Sequence, residues 1–213
     1  MKLICRVLGI MIGLSINLQA TITPELVDIQ MLSPTILVDL FLADSNNFLK
    51  QALYPSIAKA YIDQGVAQKL DAIQKELAPL GLGLKIKDAY RPFSVQKKLW
   101  EIALTMNLAN PGNYVSDPKV EGGRHPRGIA VDVTLVTLDS HEELSMPPMG
   151  FIPEAHHGWM SNLTQEQIDN RDFLKQIMEN HGFASISCEW WHYNLPNWRD
   201  YTALDVTFEE LEK

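Results

Sequence analysis

Ile129–Val136 is the clearest strand in the chain, and it carries a carboxylate at its middle. Ile129, Val131, Val133 and Leu135 alternate to one side, with Ala130, Asp132 and Thr134 on the other. Four aliphatic side chains on one face must pack against a core, so the fold is expected to be built around a sheet. Asp132 is open to two readings. Its face is solvated, as in many antiparallel sheets, or the carboxylate is buried and needs a cation, since an unpaired buried charge is costly.

The surrounding residues favour the second reading. Gly-Arg-His125-Pro-Arg-Gly-Ile-Ala-Val-Asp132 is followed much later by Glu189-Trp-Trp-His192. Two imidazoles and one carboxylate can hold a divalent metal with a second carboxylate left free. That is the composition of a catalytic zinc site, which has three protein ligands, an open position for water and a general base nearby. A structural zinc site wants four closed ligands, usually thiolates, which the chain cannot supply. The His-Glu-x-x-His helix of common zinc peptidases is absent. Along 183–193, read as one strand, strict alternation puts Glu189 and His192 on opposite faces. Both reach one metal only if the backbone bulges between them. The alternative is a core strand plugged by Trp190 and Trp191.

Lys-Asp88-Ala-Tyr90-Arg91-Pro92 ends another expected strand, 84–90, with Leu84, Ile86, Asp88 and Tyr90 on one face. Pro92 restricts Arg91 to an extended conformation and places its guanidinium at the strand's edge. Alone it reads as a surface arginine beside a turn; beside a metal it is a partner for developing negative charge.

Elsewhere, Thr35–Ala43 reads as a strand, and Ile57–Leu80 as one or two helical segments with Leu70, Ile73 and Leu77 stacked and Gly65 as a possible break. Ser94 is placed as N-cap of a helix over 95–106, and Thr164 as cap of a helix through Asn180. Residues 107–128 and 139–163 read as loops. The order of elements lacks a regular βαβ rhythm, which points to an α+β fold with a small, mainly antiparallel sheet flanked by helices. His156 and His157 are placed in solvent, His181 at a helix C-terminus, and Cys188 as a buried structural thiol opposite Glu189.

The first twenty residues read as a signal peptide. Lys2 and Arg6 precede an apolar stretch from Val7 to Leu18, and cleavage is expected after Ala20. An uncleaved anchor is the alternative, although the stretch is short of the roughly 20 residues a span needs. This places the protein outside the cytoplasm, periplasmic or secreted, with no stable membrane association after cleavage and residues 21–213 as a single domain. Removing Lys2 and Arg6 leaves 16 basic against 26 acidic side chains, a net charge of about −10. An acidic chain without a basic stripe excludes nucleic acid as a partner. Only Cys188 remains after cleavage, so no intrachain disulfide is expected.

Three motifs in order, Asp-Ala-Tyr-Arg91-Pro, Gly-Arg-His125-x-x-Gly-x-Ala-x-Asp132 and Glu189-Trp-Trp-His192-Tyr, resemble the D-alanyl-D-alanine dipeptidases of the vancomycin-resistance type. The resemblance covers most of residues 35–195. It implies a fold related to D-Ala-D-Ala metallopeptidases and lysostaphin-like zinc peptidases, with a small D,D-dipeptide as substrate. It also implies that His125, Asp132 and His192 ligate zinc, that Glu189 is the base and that Arg91 steadies the oxyanion. The family's usual serine is Gly123 here, and Ala89 replaces a glycine. The aspartate that receives the substrate amine has no counterpart after Pro148-Met149-Gly150, leaving Glu154 as the nearest acidic substitute. Two other readings stand beside this one: a D,D-carboxypeptidase acting on cell-wall stem peptides, and a zinc-dependent binding module without turnover. Retention of Glu189 argues against the last, since metal binding alone has no need of that base.

Overall fold

The computed structural model describes residues 21–213 except 48, 107, 109 and 121. The expected signal peptide, residues 1–20, lies outside the described residues. In chain order the elements are β1 (Leu26–Asp28), α1 (Ile29–Leu32), β2 (Leu37–Val38), β3 (Tyr61–Asp63), α2 (Gln64–Leu77), β4 (Leu82–Asp88), α3 (Phe93–Thr105), β5 (Ala130–Thr137), α4 (Gln165–Asn180), β6 (Ala184–Ile186), β7 (Glu189–Asn194) and α5 (Phe208–Leu211). The main sheet has the order β2-β4-β5-β7-β6, with β1 and β3 paired separately. Only β2–β4 is parallel within the main sheet. The fold is α+β with a mainly antiparallel sheet, as expected.

The two faces of the sheet do different work. Leu84 lies opposite Leu135, Ile86 opposite Val133 and Val131 opposite Tyr193, so these six share one surface. Leu70, Ile73 and Leu77 of α2 and Leu174, Ile177 and Met178 of α4 join them in one buried cluster. Gln74 of α2 is also buried and ties the helix to the sheet, accepting from the Leu84 amide at 2.8 Å and donating to the Thr35 carbonyl at 3.2 Å. On the opposite face, Asp88, Asp132 and His192 lie side by side across three strands. Asp132 is 3% exposed, so the solvated reading of its face fails: the second face is buried as well.

A bulge makes that row possible. Ile86 pairs with Val133, yet Asp88, two residues on, pairs with Asp132, one residue on. The extra residue turns Asp88 away from Leu84 and Ile86, with which strict alternation groups it, and onto the Asp132 face. A second irregularity lies between β6 and β7: Ser185 pairs with Tyr193 and Ile186 with Glu189, so Trp190–His192 have no partners on β6. The backbone departure needed between Glu189 and His192 is present.

Several local expectations are corrected. Residues 183–193 form a hairpin, β6 and β7, with Ser187 and Cys188 in its turn. The segment before α2 is the strand β3, because Tyr61–Asp63 pairs with β1; Gly65 sits in the first helical turn, under an Asp63 side chain that accepts from the Gly65 and Val66 amides. Of Thr35–Ala43 only Leu37–Val38 stays in the sheet, and the chain then turns to bury Leu42. Helix α3 starts at Phe93 with Pro92, not Ser94, at the N-cap. Its first amides are satisfied from the far end of the chain, Phe93 by the Leu204 carbonyl and Ser94 by the Asp205 carboxylate at 2.6 Å. Thr164 caps α4 as expected, in a reciprocal box with Gln167.

His157 is not solvated. It is half-buried beside α4, and neither ring nitrogen finds a hydrogen-bonding partner among the described residues. Burial, reinforced by Arg171 and Lys175, pushes its pKa down from 6.5 to about 4 against the weaker pull of Asp172 and Glu179. Between these two values the unfolded chain holds a proton that the native state refuses, so stability is lost as the pH drops from about 6.5 to about 4. Replacing His157 with Phe should flatten the pH dependence of Tm between about 6.5 and 4. An unchanged slope in the variant would assign the acid sensitivity elsewhere.

Candidate metal centre and its cleft

His125 is delivered by a tight turn. Gly122 and Gly123 adopt left-handed φ of 72° and 79°, and Gly128 closes the His125–Arg127 turn at 63°. A side chain at Gly128 would be strained by this φ, and its Cβ would fall 2.5 Å from Leu26 Cδ2, which would have to shift. Asp132 projects from the centre of β5 and His192 from β7 directly opposite. The three meet closely. His125 Nε2 is 3.2 Å from His192 Nδ1 and 3.4 Å from Asp132 Oδ1, and His192 Nδ1 is 3.0 Å from the same oxygen.

Each ring has its other nitrogen committed. His125 Nδ1 donates to the Ala89 carbonyl at 2.7 Å. His192 Nε2 donates to Asn194 Oδ1 at 3.3 Å, and the Asn194 amide is oriented by donating its own N–H to the Leu195 carbonyl at 2.7 Å. With both protons placed outward, the nitrogens that face each other are lone pairs, and Asp132 adds a third. Burial pushes His192 down against the pull of Asp132, which favours the neutral ring. Burial alone would raise the Asp132 carboxyl, but His125 and then His192 outweigh it and hold it well below the usual carboxylate range.

Three buried acceptors converging without a hydrogen among them are completed by a cation. Tetrahedral bonds of about 2.0–2.1 Å place neighbouring donors about 3.3 Å apart, close to the separations observed. His125, Asp132 and His192 are the one His/Cys/Asp/Glu group of this kind among the described residues. The donor set fits a divalent metal with an open fourth position.

Glu189 stands beside this group, its Oε2 3.9 Å from His192 Nδ1. Burial, then the negative charge of Asp132, raise its pKa well above the ordinary value, against Arg91 and Arg124. Arg91 is buried, not a surface residue. Its Nε and Nη2 donate to Asp88 Oδ2 at 3.2 and 2.5 Å and its Nη1 to Gln96 at 2.7 Å, leaving one hydrogen on each terminal nitrogen. Asp88 is held in turn by the Tyr54 hydroxyl at 2.7 Å and the Ala89 amide. Arg91, Arg124, Tyr114, Phe151, Glu189 and Trp191 line a cleft of about 240 Å³ over the three ligands.

Two residues singled out in the sequence lie near the cleft. Glu154 sits in the Pro153–Ala155 turn and is not among the cleft-lining residues; Met149 and Phe151 of the same loop are. Cys188 also lines the cleft, from the hairpin turn and only half-buried, but burial and Glu189 push its thiol up to about 11, so it stays protonated and poorly nucleophilic. His181 caps α4 as expected and bonds Glu76 at 2.8 Å. Sequence reading missed Asn194, Gln96 and Tyr54. Asn194 shares a strand face with His192 and was within reach of alternation, whereas nothing local marks Tyr54.

Residues 22–212 match the profile of the D-Ala-D-Ala dipeptidase family, peptidase M15. The D-alanyl-D-alanine dipeptidase of Escherichia coli K12 is 35% identical over 87% of this chain and 92% of its own length. Those of Enterococcus faecalis and Enterococcus faecium are 33% and 35% identical, over 62% and 57% of this chain and 71% and 66% of their own lengths. With the family profile spanning nearly all the described residues, the chain belongs to the D-Ala-D-Ala dipeptidase family of M15 metallopeptidases.

Proposed function

We propose that the protein is an exported zinc dipeptidase that hydrolyses D-alanyl-D-alanine in cell-wall metabolism. The observation that carries the reading is the meeting of three proton-free ligand atoms beside a buried carboxylate and a pinned guanidinium, in a chain of this family. A zinc ion held by His125, Asp132 and His192 supplies a Lewis acid and lowers the pKa of water to about 7. Glu189 takes the proton from the attacking water and returns it to the amine nitrogen of the departing D-alanine, acting as base and then as acid. Arg91 directs its two spare N–H groups at the carbonyl oxygen as negative charge develops there. Asp88 and Gln96 keep that guanidinium from rotating away.

Export is supported by the apolar N-terminal stretch after Lys2 and Arg6, and by a substrate that belongs to the cell wall. No helix among the described residues is long and apolar enough to cross a membrane. Glu154 remains the acidic residue of the 151–157 loop that could meet the substrate amine, although it lies outside the cleft lining.

The purified protein lacking residues 1–20 should cleave D-Ala-D-Ala in preference to N-acetyl-D-Ala-D-Ala and to a stem pentapeptide. Asp132 and Glu189 are the only acidic residues among the described cleft lining, so this preference rests on the small volume of the cleft and not on a carboxylate that receives the amine. Equal turnover of the blocked and longer substrates would move the protein to the carboxypeptidase reading.

Metal analysis should find about one zinc per chain, lost in His125→Ala. Asn194→Leu should keep the fold but weaken zinc binding about 10–100-fold, the usual cost of losing a partner that orients a ligand ring. Competition with a chelator reads this directly, and an unchanged affinity would show that Asn194 does not set the His192 tautomer.

Glu189→Ala should retain zinc and lose ~10²–10⁴-fold in kcat, the range for a general acid–base group. A variant that turns over D-Ala-D-Ala at the wild-type rate would place the base elsewhere.

A further inference from the structure

The cleft wall holds a cation that no carboxylate among the described residues neutralises. Arg124, immediately before His125, lines the cleft. Its guanidinium lies over the Trp198 ring, 4.8 Å from the centroid, and its Nε is buried without a hydrogen-bonding partner. Arg91, across the same cleft, is tied to Asp88 and Gln96; Arg124 has no ion pair among the described residues. Arg127 and Arg199 approach the same Trp198 ring, at 5.3 and 4.1 Å, so positive charge is concentrated at this corner of an otherwise acidic protein.

A partly desolvated guanidinium without an anionic partner is costly, and its planar fork matches a carboxylate bidentately. The zwitterionic dipeptide carries one anionic group, its C-terminal carboxylate. We propose that Arg124 receives that carboxylate and makes a free acid at the C-terminal end a requirement of the site. The inference rests on the dipeptidase reading and names the residue that sets its specificity at that end.

The neighbouring backbone supports the assignment independently. Gly123 has φ of +79°, and a Cβ there would lie 3.1 Å from Gln96 Cδ and 3.2 Å from Pro126 Cδ. A serine at 123 would be strained by its own backbone and would press on the side chain that holds Arg91. A hydroxyl receptor for the carboxylate is therefore disfavoured at this position, and the next side chain along is the guanidinium.

The test compares D-Ala-D-Ala with its C-terminal amide in the wild type and in Arg124→Gln and Arg124→Lys. The wild type should prefer the acid. Arg124→Gln should lose on the order of 10–100-fold in kcat/KM for the acid, the worth of a charge-assisted hydrogen bond, mainly through KM. The acid-to-amide ratio should therefore collapse, whatever the lost charge does to both substrates alike, while Arg124→Lys keeps part of it. Zinc content and circular dichroism report whether each variant is folded, and the wild-type comparison needs no variant. Equal wild-type rates on acid and amide, or a ratio unchanged in Arg124→Gln, would overturn the role of Arg124 and leave the dipeptidase reading standing. A wild type that cleaves neither would remove that reading, and this inference with it.

Discussion

Three acceptor atoms held 3.0–3.4 Å apart with no hydrogen between them repel one another, and much of the structure serves to keep them there. The sheet ladder sets Asp132 and His192 opposite each other. The Ala89 carbonyl and the Asn194 amide draw the two ring protons outward, and Asn194 is itself locked by the Leu195 carbonyl. None of these partners relaxes cheaply, because each is anchored in a strand or at its end. Without metal a proton relieves the repulsion, and a divalent cation must displace it, which makes metal affinity pH-dependent and couples it to folding stability. Rigid elements rather than loops supply two of the three candidate ligands, the arrangement in which small errors of position are least tolerated and best prevented.

The same row of the sheet carries a second carboxylate with the opposite fate. Asp88 lies directly opposite Asp132 and is fully buried, but its oxygens are taken by the Tyr54 hydroxyl, the Ala89 amide and the Arg91 guanidinium. It has little capacity left for a metal. Asp132 has no such donors and turns to the imidazoles. Two chemically identical side chains on adjacent strands are thus separated into an arginine holder and a ligand by their hydrogen-bond partners alone. The Asp88–Arg91 pair is buried, where attraction between opposite charges is strong and breaking one side is costly. The oxyanion role proposed for Arg91 calls for that rigidity.

Much of this was legible in the chain. The alternation of Ile129–Leu135 predicted β5, and the Thr164 box predicted α4, because both signals are local and of the period each element imposes. The motif residues His125, Asp132, Glu189 and His192 identified the family that the profile over residues 22–212 bears out. What escaped was non-local. Asp88 changes face through a bulge that no residue type announces, and the β6–β7 turn at Ser187–Cys188 interrupts what reads as one strand. The start of α3 is set by Leu204 and Asp205, more than a hundred residues from the helix they cap. His157 was misread because an adjacent pair of histidines in a polar loop looks solvated until α4 is packed against it.

The chain departs from its family resemblance at the rim of the cleft and not at its floor. A zwitterionic substrate offers one charge at each end, and the described lining answers only the negative one with a charge to spare, since Asp132 and Glu189 are both engaged at the reacting centre. Discrimination against longer substrates then falls to volume. Tyr114 and Phe151 pack their rings 5.2 Å apart in the cleft wall, and the space they bound, about 240 Å³, is below the ~300–1,000 Å³ of pockets that take drug-sized ligands. An apolar wall excludes bulk effectively but distinguishes a charged amine from a neutral amide only weakly, because it offers neither a partner. Selectivity in this cleft is accordingly electrostatic where Arg124 stands and steric where the aromatic rings do.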